Sequence, residues 1–430
     1  MYKYIIKGGR PISGTIRASG NKNAALPCLA AAILTEEVVT LRNVPDIEDV
    51  RVIAEILCSL GMTAQQDPQD RSVWHLCGAN LNSSSISEEM AGRIRASILL
   101  AGPLLARTGE VTLPPPGGDV IGRRRLDTHF LALEGLGAQV QADGVFHLRS
   151  NGLTGAALFL DEASVTATEN ALMAAVTARG ETVIENAASE PHVQDLCRLL
   201  NGMGARITGI GSNILHITGV ARLGGADFAL GADFMEVGSF IGLAAVTRGE
   251  LTIENADPHQ LKMTRIAFAK LGIRWECEGS TVHVPAKQDL RVVPDLGGMI
   301  PKIDDSPWPG FPPDLTSIVT VVATQVEGTI LIHEKMFESR MFFVDKLIGM
   351  GARIVLCDPH RAVVSGPSRL TGSQLTSPDV RAGMAMVIAA LCAEGESVIR
   401  NVYQIERGYE HLTRRLKSVG ARMERVSVAE

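Results

Sequence analysis

The sequence predicts an α/β protein built from six copies of one unit, grouped as two domains of three. Three observations carry that prediction. Short β-rich segments recur along the 430 residues. Six helical segments stop on an apolar residue followed by glycine, at nearly even spacing. One further helical segment is apolar almost all round, so it needs cover on every side.

The strands read Val38–Asn43, Gly109–Leu113, Gly180–Asn186, Gly249–Asn255, Gly328–Ile332 and Gly395–Asn401. Five of the six start on glycine, a residue suited to turning the chain after a helix. The helix ends are Leu60-Gly61, Leu136-Gly137, Met203-Gly204, Leu271-Gly272, Met350-Gly351 and Val419-Gly420, separated by 76, 67, 68, 79 and 69 residues. In the first copy, Ile47, Val50, Ile53, Leu57 and Leu60 fall on one face, with Asp49, Arg51 and Glu55 elsewhere. Ala24 to Leu34 has no such face and reads as a wholly buried helix. Six copies exceed one ordinary core. The best boundary between two groups of three is Gly219 to Gly231.

Composition narrows the function classes. With 46% hydrophobic and 20% charged residues the chain is globular. A net charge of −6 argues against broad nucleic-acid or membrane-surface binding. The seven cysteines are scattered and never form a CxxC pair, which disfavours a disulfide framework or a zinc site. The start of the chain lacks a signal-peptide core, and the longest apolar run, Ala96 to Ala106, is too short to span a bilayer. The expectation is a soluble cytoplasmic protein. Neither a phosphate-binding GxxxxGK[ST] loop nor an HExxH motif occurs.

Residues 114–129 concentrate the chemistry. Three prolines and Gly117-Gly118 make a stop and a hinge, Asp119 sits at the tip, and Arg123, Arg124 and Arg125 follow. One carboxylate beside guanidinium groups suits an anionic substrate that also needs a proton moved. The plain alternative is a solvated surface loop.

Eight ordered motifs decide between these. They are Ser19–Pro27, Arg95-Ala96-Ser97, Pro116-Gly117-Gly118, Ile121-Gly122, Phe311–Asp314, Phe337–Arg340, Asp379–Ala382 and Ile405–Glu410. Together they resemble the enolpyruvyl transferases over nearly the whole chain, and the nucleotide-sugar branch more than the shikimate-pathway branch. The resemblance implies two inside-out α/β barrel-like domains, each of three βαβαββ-like repeats. One would hold residues 22–229, the other 1–21 and 230–430, with closure over the ligands.

The resemblance also implies the chemistry: transfer of the enolpyruvyl group of phosphoenolpyruvate to the 3'-hydroxyl of UDP-N-acetylglucosamine, with no cofactor and no metal. Lys22, Asn23, Arg124 and Arg407 would meet the phosphate end of the donor, and Arg340 and Arg381 its carboxylate. Arg95, Arg124, Arg125, Leu126, Asp127, Thr128, Ser164, Val165, Asp314 and Met336 would hold the nucleotide-sugar. Asp314 would act as base or orient the hydroxyl; without the resemblance it reads equally as a helix cap. Asp119 stands where most of the family has a cysteine. It would be the general acid, and its carboxylate, a weaker nucleophile than a thiolate, implies insensitivity to fosfomycin. Arg125 replaces a usual proline, Thr166 a usual glycine and Glu162 a common lysine. His129 matches the family, although a lone histidine is usually structural. These departures keep other readings open: another nucleotide or nucleotide-sugar as acceptor, or a silent nucleotide-sugar-binding regulator. The sequence does not give the oligomeric state.

Overall fold

Helices with no polar face can only be stable inside. Among the described residues six helices lie largely in the interior: α1 (Lys22–Ala31), α2 (Ala101–Thr108), which is buried through Leu105, α3 (Val165–Ala175), α4 (Phe234–Thr247), α5 (Thr316–Ala323) and α6 (Val380–Cys392). The computed structural model describes residues 2–118, 122 and 124–427. Every residue of α4 and α5 is buried, and in α1, α3 and α6 only end residues are even partly exposed. The predicted buried helix at 24–34 is α1 plus a 3₁₀ turn, Ala32–Leu34.

The chain forms two compact units with separate hydrophobic cores. One holds residues 20–118 and 125–231, with α1, α2 and α3. The other holds the residues up to Ser19 and from Ala232 onward, with Gly122 and Arg124 and with α4, α5 and α6.

Each buried helix feeds a sheet. All six predicted strands are present, as Val38–Arg42, Glu110–Leu113, Glu181–Glu185, Leu251–Glu254, Gly328–His333 and Glu396–Arg400. Five of them have a parallel edge strand on one side and two antiparallel strands on the other. In the sheet of Glu110–Leu113 the parallel edge shrinks to a single bridge from Ser85 to Thr112. Burial alternates along these strands, as it must when one face covers helices and the other meets water.

Side chains repeat along with the pattern. Asn43, Asn186, Asn255 and Asn401 each end a strand at positive φ and donate a side-chain N–H to a carbonyl beside the parallel edge strand: Leu230, Leu160, Ala18 and Ser377. Asparagine tolerates this backbone region and supplies the donor as well. All six glycines of the helix ends have positive φ, from 73° to 105°.

Two pairings close the units. The strand parallel to Val38–Arg42 is Ala226–Ala229, from the far end of the same unit. The N-terminal strand Tyr2–Lys7 lies between Glu396–Arg400 and Arg422–Ser427.

Gly137 isolates the backbone requirement, because nothing lies within 4 Å of a methyl group added there, while φ is +96°. Gly137→Ala is expected to lower stability by about 1–2 kcal/mol through backbone strain alone. Denaturant unfolding should show a lower midpoint with an unchanged slope; an unchanged midpoint would refute the strain account.

Candidate active site

The starts of the buried helices are where the polar groups gather. In the unit of α4–α6, Asp314 sits on a 3₁₀ turn, Pro313–Leu315, that runs into α5. It does not cap the helix. Its Oδ1 accepts from Arg340 Nη2 at 3.0 Å and its Oδ2 from Arg381 Nε at 2.9 Å. Arg381 is the second residue of α6, whose start is capped by the Asp379 side chain. Arg340 opens the 3₁₀ turn Arg340–Phe343. Their guanidinium groups lie over the rings of Phe337 and Tyr409, at 4.9 and 5.3 Å.

Both arginines are buried, and among the described residues Nη1 of each has no hydrogen-bond partner. Burial by itself would raise the Asp314 pKa, but Arg381 and Arg340 outweigh it and hold the carboxyl well below the usual range. Behind Arg340 lies Glu334, fully buried, with Oε2 3.7 Å from Arg340 Nε. Burial pushes Glu334 up to about 8 despite Arg340, and the neighbouring Asp305 adds to the rise. The arrangement therefore offers unspent guanidinium N–H groups around one firmly ionised carboxylate. That suits a planar anion such as a carboxylate.

Arg407 is buried at the end of a short helix, Tyr403–Glu406, with Nη1 3.3 Å from Gln404 Oε1. Met336 is exposed after strand Gly328–His333, and Arg124 is half-buried. Asp119, Ile121 and Arg123 lie outside the described residues.

In the other unit, Lys22 and Asn23 are the first residues of α1, capped by the Asn21 side chain. Lys22 Nζ is 2.7 Å from Asp49 Oδ2, and both groups are largely buried. Asp49 falls off the apolar face in the sequence pattern, yet it is buried, and the pairing with Lys22 offsets the cost of burying it. Arg95 opens the turn leading to α2, with Nη2 3.5 Å from the Arg125 carbonyl. The glycines read as a hinge are close-contact residues: a Cβ on Gly117 would come within 1.8 Å of the Gly92 carbonyl oxygen, and one on Gly118 within 2.7 Å of Arg95 Cβ.

Arg125 is already engaged by Asp127 at 3.1 Å and Asp161 at 3.4 Å. Thr128 donates to Asp161 at 2.6 Å, and Leu126 is half-buried ahead of helix Asp127–Gly135. Ser164 caps α3 by accepting from Ala167 N, and Val165 is its first residue. Buried His129 contacts Thr166 Oγ1 at 3.1 Å and Asn170 Nδ2 at 2.9 Å. Burial, helped by Arg95, lowers the His129 pKa to about 3. Asn170 and Glu334 were not singled out in the sequence. The partners of Asn170 lie far along the chain, and it is burial beside Arg340 and Asp305, which no local pattern shows, that marks Glu334.

Among the described residues no three His, Cys, Asp or Glu side chains are grouped to hold a metal ion. No helix there is long and apolar enough to cross a membrane.

A family model for EPSP synthase (3-phosphoshikimate 1-carboxyvinyltransferase) matches residues 6–416. The chain belongs to this family of enolpyruvyl transferases. A family member from Treponema denticola, named UDP-N-acetylglucosamine 1-carboxyvinyltransferase, is 66% identical over 424 residues, 99% of each chain. Proteins of the same name from Treponema pallidum and Borreliella burgdorferi are 66% and 57% identical, covering 98% and 99% of each chain. The enolpyruvyl transferase NikO from Streptomyces tendae superimposes with a TM-score of 0.88 at 24% identity, over 100% of this chain and 99% of that one. EPSP synthase from Acinetobacter baumannii gives 0.75 at 17%, over 99% and 100%. These likenesses establish the two-domain α/β fold of the enolpyruvyl transferases, as the resemblance implied.

The depressed His129 pKa has a measurable sign. The unfolded chain takes up a proton near pH 6.5 and the folded chain only near pH 3. Stability attached to neutral His129 is therefore complete above about pH 6.5 and falls by about 1.4 kcal/mol per pH unit as pH drops towards 3. Unfolding free energies of His129→Gln and the parent protein across that range should show a shallower acid slope in the variant. Identical slopes would refute the assignment.

Proposed function

We propose that the protein transfers the enolpyruvyl group of phosphoenolpyruvate to the 3'-hydroxyl of UDP-N-acetylglucosamine and releases phosphate, a cytoplasmic step in peptidoglycan precursor synthesis. The observation that carries this reading is the Asp314–Arg340–Arg381 triad, an ionised carboxylate between two buried guanidinium groups with N–H groups to spare. The names of relatives 57–66% identical over nearly the whole chain support the acceptor.

The substrate carboxylate would compete with Asp314 for Arg340 and Arg381. As it binds, Asp314 gives up part of its cationic surroundings and its pKa rises. An aspartate too acidic to take a proton in the free enzyme thereby becomes a better acceptor for the hydroxyl proton. The hydroxyl oxygen attacks C2 while C3 gains a proton, giving a tetrahedral ketal. Loss of phosphate from C2 and of a proton from C3 then leaves the vinyl ether. Lys22, Asn23, Arg124 and Arg407 are assigned to the phosphate. Arg95, Arg125, Leu126, Asp127, Thr128, Ser164, Val165 and Met336 are assigned to the nucleotide-sugar. Asp119 is assigned as the acid at C3; anions bound nearby would raise its pKa towards that task.

A second reading has its own support. Arg125, which could compensate for the acid at Glu162, is already engaged by Asp127 and Asp161. A different nucleotide or nucleotide-sugar is therefore the alternative acceptor.

Phosphate release from phosphoenolpyruvate separates the readings. Release that requires UDP-N-acetylglucosamine and persists in fosfomycin is expected. Release only with another nucleotide favours the second reading, and binding without release favours a silent homologue. Time-dependent inactivation with a mass adduct on the loop would overturn the role of Asp119. Asp314→Asn is expected to lower kcat by about 10²-fold or more without weakening phosphoenolpyruvate binding, because it removes the competitor for the two arginines. A parallel loss of phosphoenolpyruvate affinity would refute that competition.

A further inference from the structure

Glu334 and Asp305 are buried acids that the proposed reaction leaves unused, and both are fully enclosed. Asp305 follows the edge strand Lys302–Asp304, and Glu334 follows its parallel neighbour Gly328–His333, so strand pairing brings the two together. Glu334 Oε1 accepts from Phe337 N at 3.2 Å, and Asp305 Oδ1 accepts from Lys335 N. The remaining oxygens, Glu334 Oε2 and Asp305 Oδ2, have no donor among the described residues. Yet the two carboxyl groups are hydrogen-bonded to each other. A carboxylate can only accept, so the pair must share a proton. Two like charges enclosed side by side would oppose each other, which keeps that proton in place. Burial, reinforced by Asp305, holds it on Glu334 against the pull of Arg340.

That proton decides what Arg340 can do. Arg340 Nη2 is spent on Asp314 at 3.0 Å, while Nε stands 3.7 Å from Glu334 Oε2, outside hydrogen-bond reach. An ionised Glu334 would draw Nε into a charge-assisted hydrogen bond. The other charged groups around the pair are engaged: Arg381 with Asp314, Lys335 with Asp304 at 2.9 Å, and Asp379 with the start of α6. Burial keeps the His333 pKa below its usual range, and His360 Nδ1 donates to the Glu334 backbone carbonyl. Thr316, at the start of α5, adds only a hydroxyl.

We propose that Glu334 is a positioning residue for the donor: while it shares the proton with Asp305 it leaves Arg340 to the phosphoenolpyruvate carboxylate, and once ionised it draws Arg340 away. The proposal rests on the donor reading given above and adds an alkaline limit to it. Glu334 is pushed up to about 8. With only the protonated fraction competent, affinity for phosphoenolpyruvate should fall by about tenfold between pH 7 and pH 9.

The test titrates the full chain calorimetrically with phosphoenolpyruvate from pH 7 to pH 9.5. The parent should show the tenfold loss. Glu334→Gln keeps the shape and cannot ionise, so its affinity should stay within about threefold across the range. Asp305→Asn removes the like charge and can donate to an ionised Glu334, so its loss of affinity should begin about one pH unit lower. A purely structural role would instead weaken both variants alike at every pH. Parent affinity that stays constant to pH 9.5 would overturn the proposal and leave the donor reading standing. So would a loss that persists unchanged in Glu334→Gln, or an onset that Asp305→Asn does not move. If the parent binds no phosphoenolpyruvate at any pH, the donor reading falls and the proposal falls with it.

Discussion

Six helices buried over most or all of their length impose the architecture. Such a helix cannot lie on a surface, so sheets must cover it from outside. Each covering strand then has one apolar and one wet face, which fixes its register, because a slip of one residue would expose every inward side chain. The chain must also turn sharply between helix and strand, which accounts for the recurring left-handed glycines. The strand-end asparagines tie each central strand to a carbonyl beside its parallel neighbour.

The same constraint fixes where chemistry can occur. A helix enclosed along its length can present polar groups only at its ends. Lys22, Arg95, Ser164, Asp314 and Arg381 all lie at or just before the start of a buried helix. Helix starts carry partial positive charge and N–H groups that need acceptors. Asn21, Ser164 and Asp379 satisfy some of them and hold the backbone rigid beside the functional side chains. Burying cations there needs carboxylates close by, which explains why Lys22 meets Asp49 and why Arg340 and Arg381 share Asp314.

What the sequence revealed follows from the range of each signal. Helix period, strand composition and the glycine turns are local, so the six strands and the buried helix at Ala24–Leu34 were legible. Partners far apart in the chain were not. Asp314 meets Arg340 26 residues away and Arg381 67 residues away. Asp49 looked like an ordinary residue of a polar face, since nothing in its own helix announces Lys22. Nothing beside Arg125 in the sequence announces Asp161, which approaches it from another strand-to-helix link. Asn170 lay hidden within an apolar helix, and only its three partners reveal what it does.

The N-terminal strand carries one more consequence. Tyr2–Lys7 is the second of two central strands in its sheet, held between segments that begin at Glu396 and end at Ser427. On a ribosome it emerges long before its neighbours, which follow almost four hundred residues later. At roughly 5–20 residues per second it waits on the order of a minute, about twice as long as Val38–Arg42 waits for Ala226–Ala229. The nascent chain thus carries an unpaired, half-apolar strand until those segments are made. Two charged lysines, Lys3 and Lys7, flank its apolar centre, Tyr4 to Ile6, a placement that discourages premature edge-to-edge pairing during the wait.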